Sequence, residues 1–349
     1  MALGKRITTL LLTGIIAIGA VGCSALGSDD TRVVRIAHAQ NEEHPEHLAL
    51  VEFEKYVEEE TDGAIDIQIF PNELLGPQAQ TVELTQTGAV DIALVGLGVL
   101  EGFEESYTVF NLPYVMDSRE HYHAVMNDEE IMAPIFESTR KSGFIGLTWF
   151  DAGVRSVYTT NKAIMTPDDM KGLKIRVQTS PTNVKMLEAL GASPTPMAFG
   201  EVYTGLQQKV IDGAENNELA LINNKHGEVA KYYSYNMHAM LPDILIMNAD
   251  LMDKLTPEQQ QVFKDGAKHI NEFEVEAWEE AAEEAKTRAE DMGVQFFYPD
   301  IKPFQDKMAS LHAEYTQKDN MKKIYDQIRA KGDEIAAQKE TEEETVAAQ

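Results

Sequence analysis

The chain has 349 residues, enough for two lobes of ordinary domain size, with 43% hydrophobic residues and a formal net charge of −28. So acidic a surface repels a phosphate backbone, which excludes nucleic-acid binding. The single cysteine rules out an internal disulfide, so stability must come from a packed core.

Lys5 and Arg6 precede an uncharged apolar run over residues 7–21, which ends in Ala20, Val21, Gly22 and Cys23. The run is shorter than the ~20 residues needed to span a bilayer, and no stop-transfer charges follow it. Residues 1–22 are therefore expected to be a cleaved export signal. The junction resembles the lipobox of bacterial lipoproteins. That resemblance implies acylation of Cys23, a lipidated linker over 23–32, and an extracytoplasmic protein anchored to the outer face of the cell membrane, on the periplasmic side in a Gram-negative cell. Nothing after Cys23 reads as transmembrane.

The β-branched VVRIAHA (33–39) predicts a strand, followed by a helix over 45–60. AIDIQIF (64–70) predicts a second strand, 76–87 a helix, and VDIALV (90–95) a third strand running into Gly96, Gly98 and Gly102. This alternation predicts an α/β lobe with a largely parallel sheet covered on both faces. A second alternating block starts at GFIGLTWF (143–150), passes through VRSVYTTN and LKIRVQ, and continues with helices after Ser180, Phe199 and Asn216. HAMLPDILIMN (238–248) reads as one further strand. A long helix follows over 256–292, with Thr256 as its cap, Pro257 in its first turn and Gly293 closing it. At 1.5 Å per residue it reaches roughly 50 Å, long enough to brace two lobes. The expected division is 33–152 plus about 242–281 for lobe I and 153–241 plus about 282–330 for lobe II. The acidic tail 331–349 reads as disordered, and other acidic runs, such as 58–60 and 272–284, as solvated faces.

No GxSxG, P-loop, HExxH or CxxC motif occurs, so no cofactor or metal is expected. HPEH (44–47) has the wrong spacing for a zinc protease. His121 and His123 diverge on a helix and read as surface residues. VGLGVLEG (95–102) has one residue too many for a dinucleotide loop, but it lies at the carboxyl end of a predicted parallel strand, where ligands sit in open α/β sheets.

Only nine arginines occur, and Arg155 and Arg176 stand inside the apolar strand-like segments GVRSVY and LKIRVQ. A buried guanidinium needs an anion, because desolvating it unpaired costs several kcal/mol. The partner is either an internal carboxylate or a ligand carboxylate held bidentately.

PDDMKGLKIRVQ (167–178) and GASPTPMAFGEVYTGLQQKVIDGAENN (191–217), together with IFPNELLG (69–76), GAVDIAL (88–94) and FNLPYVM (110–116), resemble the solute-binding subunits of tripartite ATP-independent periplasmic (TRAP) transporters of the DctP type. The resemblance covers nearly the whole chain after Cys23. It implies a two-lobed, periplasmic-binding-protein-like fold with a cleft between the lobes, and a carboxylate ligand delivered to the small and large permease subunits. It further implies that Arg176 makes the main salt bridge to the ligand, that Arg155 assists, and that Asn216 fixes the carboxylate from another side. Phe199 would form an apolar wall and His38 would reach the distal end of the ligand.

Sialic-acid binders of this family have a glutamate where Gly96 stands and a proline where Asn217 stands, which disfavours that ligand. NELALINNKHGEVAKYYSYNMH (217–238) resembles the sugar-acid subgroup, and Glu73, Gln40, Asn217 and Asn223 are candidate hydroxyl partners. The expected ligand is a hexuronate such as D-glucuronate or D-galacturonate, with a C4-dicarboxylate, keto acid or aldonate as alternatives within the family. The architecture is expected to work as a monomer. A different class, a secreted hydrolase or lyase acting on acidic sugars, would need Asp151 with Glu73, or His38 with Glu215, as acid and base.

Overall fold

Two mixed sheets carry the fold. The computed structural model describes residues 31–347; the signal segment and Cys23 lie outside the described residues. The first sheet has the order β2-β1-β3-β10-β4, from β1 (Arg32–Ala37), β2 (Ile65–Phe70), β3 (Ile92–Gly96), β4 (Phe144–Phe150) and β10 (Asp243–Asn248). The second has the order β11-β9-β5-β8-β6-β7, from β5 (Val154–Thr159), β6 (Lys174–Val177), β7 (Ser193–Pro196), β8 (Gly213–Asn216), β9 (Tyr232–Met240) and β11 (Gln295–Phe297).

Helices flank both sheets. The helix Pro45–Glu60 starts where His44 Nδ1 accepts the Glu46 N–H, with proline at its first position. Ala49, Leu50, Phe53 and Val57 form its buried stripe. Each of the larger side chains contributes about 1.5–3 kcal/mol on burial. Phe53 meets Phe263 of the long helix edge to face, with ring centroids 5.7 Å apart.

The long helix spans Pro257–Asp291 and opens with a capping box between Thr256 and Gln259. Its first half buries Phe263, Ala267 and Ile270 with the first sheet. Its second half packs Trp278 and Ala285 against Ala152 and Leu219, and Ala289 against Tyr158 and Tyr233 beside the second sheet. One helix thus braces both halves.

The sheets are less parallel than expected. β10 runs antiparallel to both β3 and β4, and β5 antiparallel to both β8 and β9. β5 follows β4 over residues 151–153 and β10 follows β9 over residues 241–242, so each enters the other sheet directly, without the helical crossover of a parallel βαβ unit. The latter crossing also splits the single strand expected over 238–248, because Pro242 supplies no N–H to a ladder. These two short crossings join the halves next to the long helix. At the first, Gly153 adopts φ +64°, and a Cβ there would sit 3.0 Å from the Trp278 ring.

Three further expectations need correction. The acidic tail is helical over 331–347, part of Asp319–Ala347, where Lys331 reaches Asp128 (2.8 Å) and Lys339 Glu120 (2.5 Å) on the first half, and Arg329 just before it reaches Asp117 (2.8 Å). His121 is buried, its Nε2 2.7 Å from the Ile328 carbonyl of that helix. His123 turns inward to Asp151 at 2.8 Å. Among the described residues no helix is long and apolar enough to cross a membrane, and no group of side chains is arranged to hold a metal ion.

Candidate functional site

The edges of the two sheets line a cavity of about 150 Å³ between them. From the second sheet it receives Arg155 on β5, Arg176 on β6 and Asn216 at the end of β8, with Phe199 beside them. From the first half it receives Gln40, Glu46, Gln78 and Asp243. Strand order explains the convergence of the basic groups, since β8 lies between β5 and β6.

The two arginines differ in their partners. Arg155 holds Glu215 bidentately, Nε to Oε2 at 2.7 Å and Nη2 to Oε1 at 2.9 Å, and its Nη1 donates to Asn216 Oδ1 at 2.8 Å. Burial would raise the Glu215 carboxyl, but Arg155 and a hydrogen bond from His238 overcome this and hold it at about 2. The internal carboxylate, one of the two partners open for these arginines, is therefore the partner of Arg155.

Arg176 has no carboxylate within salt-bridge distance among the described residues. Its Nε and Nη2 donate to the Met197 carbonyl at 3.0 and 2.8 Å, and its guanidinium lies 5.6 Å from the Phe199 ring centroid. Burial pushes the group down to about 10, against the pull of Glu215 and with the added repulsion of Arg155. Arg176, 3% exposed as a residue, lines the cavity with Nη1 left over. Such a group is completed by an incoming anion.

Asn216 is oriented by its neighbours. Its Oδ1 accepts from Arg155 and from the Asn217 N–H at 2.9 Å, which leaves its NH₂ as a donor in the cavity that Arg176 also lines. Asn217 also lines the cavity, but its amide is committed to the Ala152 carbonyl (2.9 Å) and the Ala220 N–H (3.3 Å), so it ties the crossing to the second sheet.

Three expected residues, His38, Glu73 and Asn223, do not line the cavity. His38 Nδ1 accepts the Gln40 N–H at 3.2 Å, so its Nε2 carries the proton and donates to His47 at 3.0 Å. With both nitrogens engaged and burial lowering its pKa to about 3, His38 shapes the loop that presents Gln40. Glu73 Oε2 instead accepts the Gly200 N–H at 3.3 Å, a contact between the halves like that of Asn41 Nδ2 with the Asn223 carbonyl at 2.9 Å. Asn223 is thus also held in an interlobe contact.

The acid–base pairs required by a hydrolase are not assembled. Asp151 accepts from Arg119 and His123, and Glu215 from Arg155, while Glu73 and His38 are engaged as above.

Gln78, Gln178, Glu46 and Asp243 were not foreseen as cavity residues. Gln178 was visible as the last residue of LKIRVQ, one step beyond β6. A Cβ at Gly96 would lie 2.6 Å from Gln178 Nε2 and 3.4 Å from Gln78 Oε1 and Asp243 Oδ1, so glycine at 96 leaves room for this polar cluster. A glutamate there would displace it.

Two sheets flanked by helices, joined by short crossings and closing over a cavity with an arginine open to an anion, define a two-lobed solute-binding protein. Residues 36–319 match the family of bacterial extracellular solute-binding proteins, family 7 (DctP). A TRAP periplasmic solute-binding protein from Anaerococcus prevotii DSM 20548, crystallised with bound α/β-D-glucuronate, is 51% identical with a TM-score of 0.86 over 87% of this chain and 99% of that one. Its counterpart from Xanthobacter autotrophicus Py2, with bound β-D-galacturonate, is 34% identical with a TM-score of 0.83 over 85% and 99%. The uncharacterized protein YiiZ of Salmonella typhimurium is 43% identical over 298 residues, covering 85% of this chain and 91% of that protein. The chain belongs to the DctP family of TRAP-transporter solute-binding proteins.

Proposed function

We propose that this protein captures a hexuronate, D-glucuronate or D-galacturonate, in the cavity between its halves and delivers it unaltered to the TRAP permease in the membrane. The observation that carries the reading is Arg176, buried against Phe199, lining the cavity without an internal acid. Its fork matches a planar carboxylate, and the Asn216 NH₂ supplies a further donor. The solved relatives with bound uronates support the ligand class. The charge of −28 does not oppose capture, because salt screens it within about 8 Å and the cavity field is set by its own arginines.

A thermal-shift series on the purified protein tests this. A uronate at a hundred times its dissociation constant should add about 2.7 kcal/mol of stability. A response to succinate-like diacids with none to uronates overturns the hexuronate assignment.

Acylation of Cys23 would hold the receptor within reach of its permease. Two or more acyl chains give a stable anchor, each buried methylene adding about 0.8 kcal/mol. The Cys23→Ala protein should leave the membrane fraction, shown by cell fractionation, with its uronate affinity intact; retention in that fraction argues against the anchor. The protein is expected to act as a monomer and to return its ligand chemically unchanged.

A further inference from the structure

The cavity wall opposite the arginines is acidic. Glu46 comes from the first turn of the helix Pro45–Glu60 and Asp243 from the first position of β10, where it pairs with Gly96 across the sheet. Both side chains are more than nine-tenths buried, and both residues line the cavity. Glu46 Oε2 is buried without a hydrogen-bond partner, and no hydrogen bond to the Asp243 carboxylate is made among the described residues. Arg155, whose charge bears on Asp243, is already spent on Glu215. Gln40 Oε1 is likewise buried without a partner beside them.

Buried acceptors without donors are costly unless an incoming group supplies the hydrogens. Sugar hydroxyls supply them. A second carboxylate supplies none and brings another negative charge against the wall. We propose that Glu46 and Asp243 set the ligand class, accepting the hydroxyls of a sugar monoacid and rejecting diacids, while Arg176 takes the single carboxylate. The inference rests on the sugar-acid reading above and adds the repulsive element that makes it selective.

The charge state fits. Burial lifts the Asp243 carboxyl to about 6, restrained by Arg155, and burial together with the charges of Asp243 and Glu274 lifts Glu46 well above the usual range. At neutral pH Asp243, lifted only to about 6, is ionised and accepts from the ligand's hydroxyls. It keeps the negative charge that repels a diacid.

Calorimetry at pH 7.5 with D-glucuronate, D-galacturonate and the diacid D-glucarate tests the proposal on the wild type, Asp243→Asn and Glu46→Gln. The wild type should bind its preferred uronate at least a hundredfold more tightly than D-glucarate. Each variant should weaken uronate binding about tenfold or more and narrow that ratio at least tenfold. The ligand-free variants should melt at or above the wild-type temperature, since each removes a buried ionisable group without a partner, so lost binding is not lost folding. Wild-type affinity for D-glucarate within tenfold of the uronate overturns the acid wall. So does an unchanged ratio in both folded variants, including a diacid that stays undetectable throughout. Failure of the wild type to bind either uronate brings down the sugar-acid reading itself, and the acid wall with it.

Discussion

Replacing Arg176 with alanine should reduce affinity for D-glucuronate by more than a hundredfold, about 3–5 kcal/mol, when measured by calorimetry against the wild type. The size follows from what is lost: the cavity's one guanidinium without an internal acid, and the field that draws in an anion. Arg176→Lys keeps the charge but cannot present two parallel N–H groups to a carboxylate, so it should recover only part of the loss.

Stability should move differently. In the ligand-free protein Arg176 is a buried cation without a counter-ion, and burial depresses it to about 10. The alanine variant forfeits the bonds to Met197 and the contact with Phe199 but is relieved of that buried charge. Its urea midpoint should therefore correspond to a loss of no more than about 1 kcal/mol. A residue whose removal ends binding while sparing the fold is held in place for its ligand. Near wild-type affinity in Arg176→Ala would remove this residue from the site.

How much of this was legible beforehand depends on what each residue answers to. The helix Pro45–Glu60 and the long helix Pro257–Asp291 were readable because cap, first-turn proline and apolar period agree. Strand direction was not, because β10 enters its sheet between β3 and β4 from a two-residue crossing out of the other sheet, an arrangement that no local pattern marks. Arg176 stood out as a charge inside an apolar strand. His38 was expected in the cavity, but its fate is decided by His47, nine residues away on another element. Asp243 and Glu46 were hidden because an acid in an acidic chain carries no signal until the fold encloses it. The acidic tail likewise finds its partners, Asp128 and Glu120, some two hundred residues earlier.

Glu215→Gln should cost about 3–5 kcal/mol of unfolding free energy at pH 7, the largest stability change expected from any single change at the site. The glutamine keeps the shape but leaves the Arg155 guanidinium, 4% exposed, without its bidentate counter-ion. The pH dependence identifies the cause. Glu215 is held at about 2 in the folded protein against an ordinary 4.5, so the stability it contributes is fully present above pH 4.5 and is lost as the pH falls through about 2. The gap between wild type and variant, read from urea titrations, should be constant from pH 7 to 5 and narrow below 4.5. A gap that stays constant down to pH 3 would trace the loss to packing instead of charge. The double variant Arg155→Met, Glu215→Leu separates stability from function in turn. Removing both charges should restore much of the lost stability, because a buried pair repays little more than its own desolvation. It should not restore uronate binding, because Asn216 would lose the Arg155 N–H that turns its amide toward the ligand. Full recovery of both would mean that the pair serves the fold alone, and that Arg176 needs no help in orienting a carboxylate.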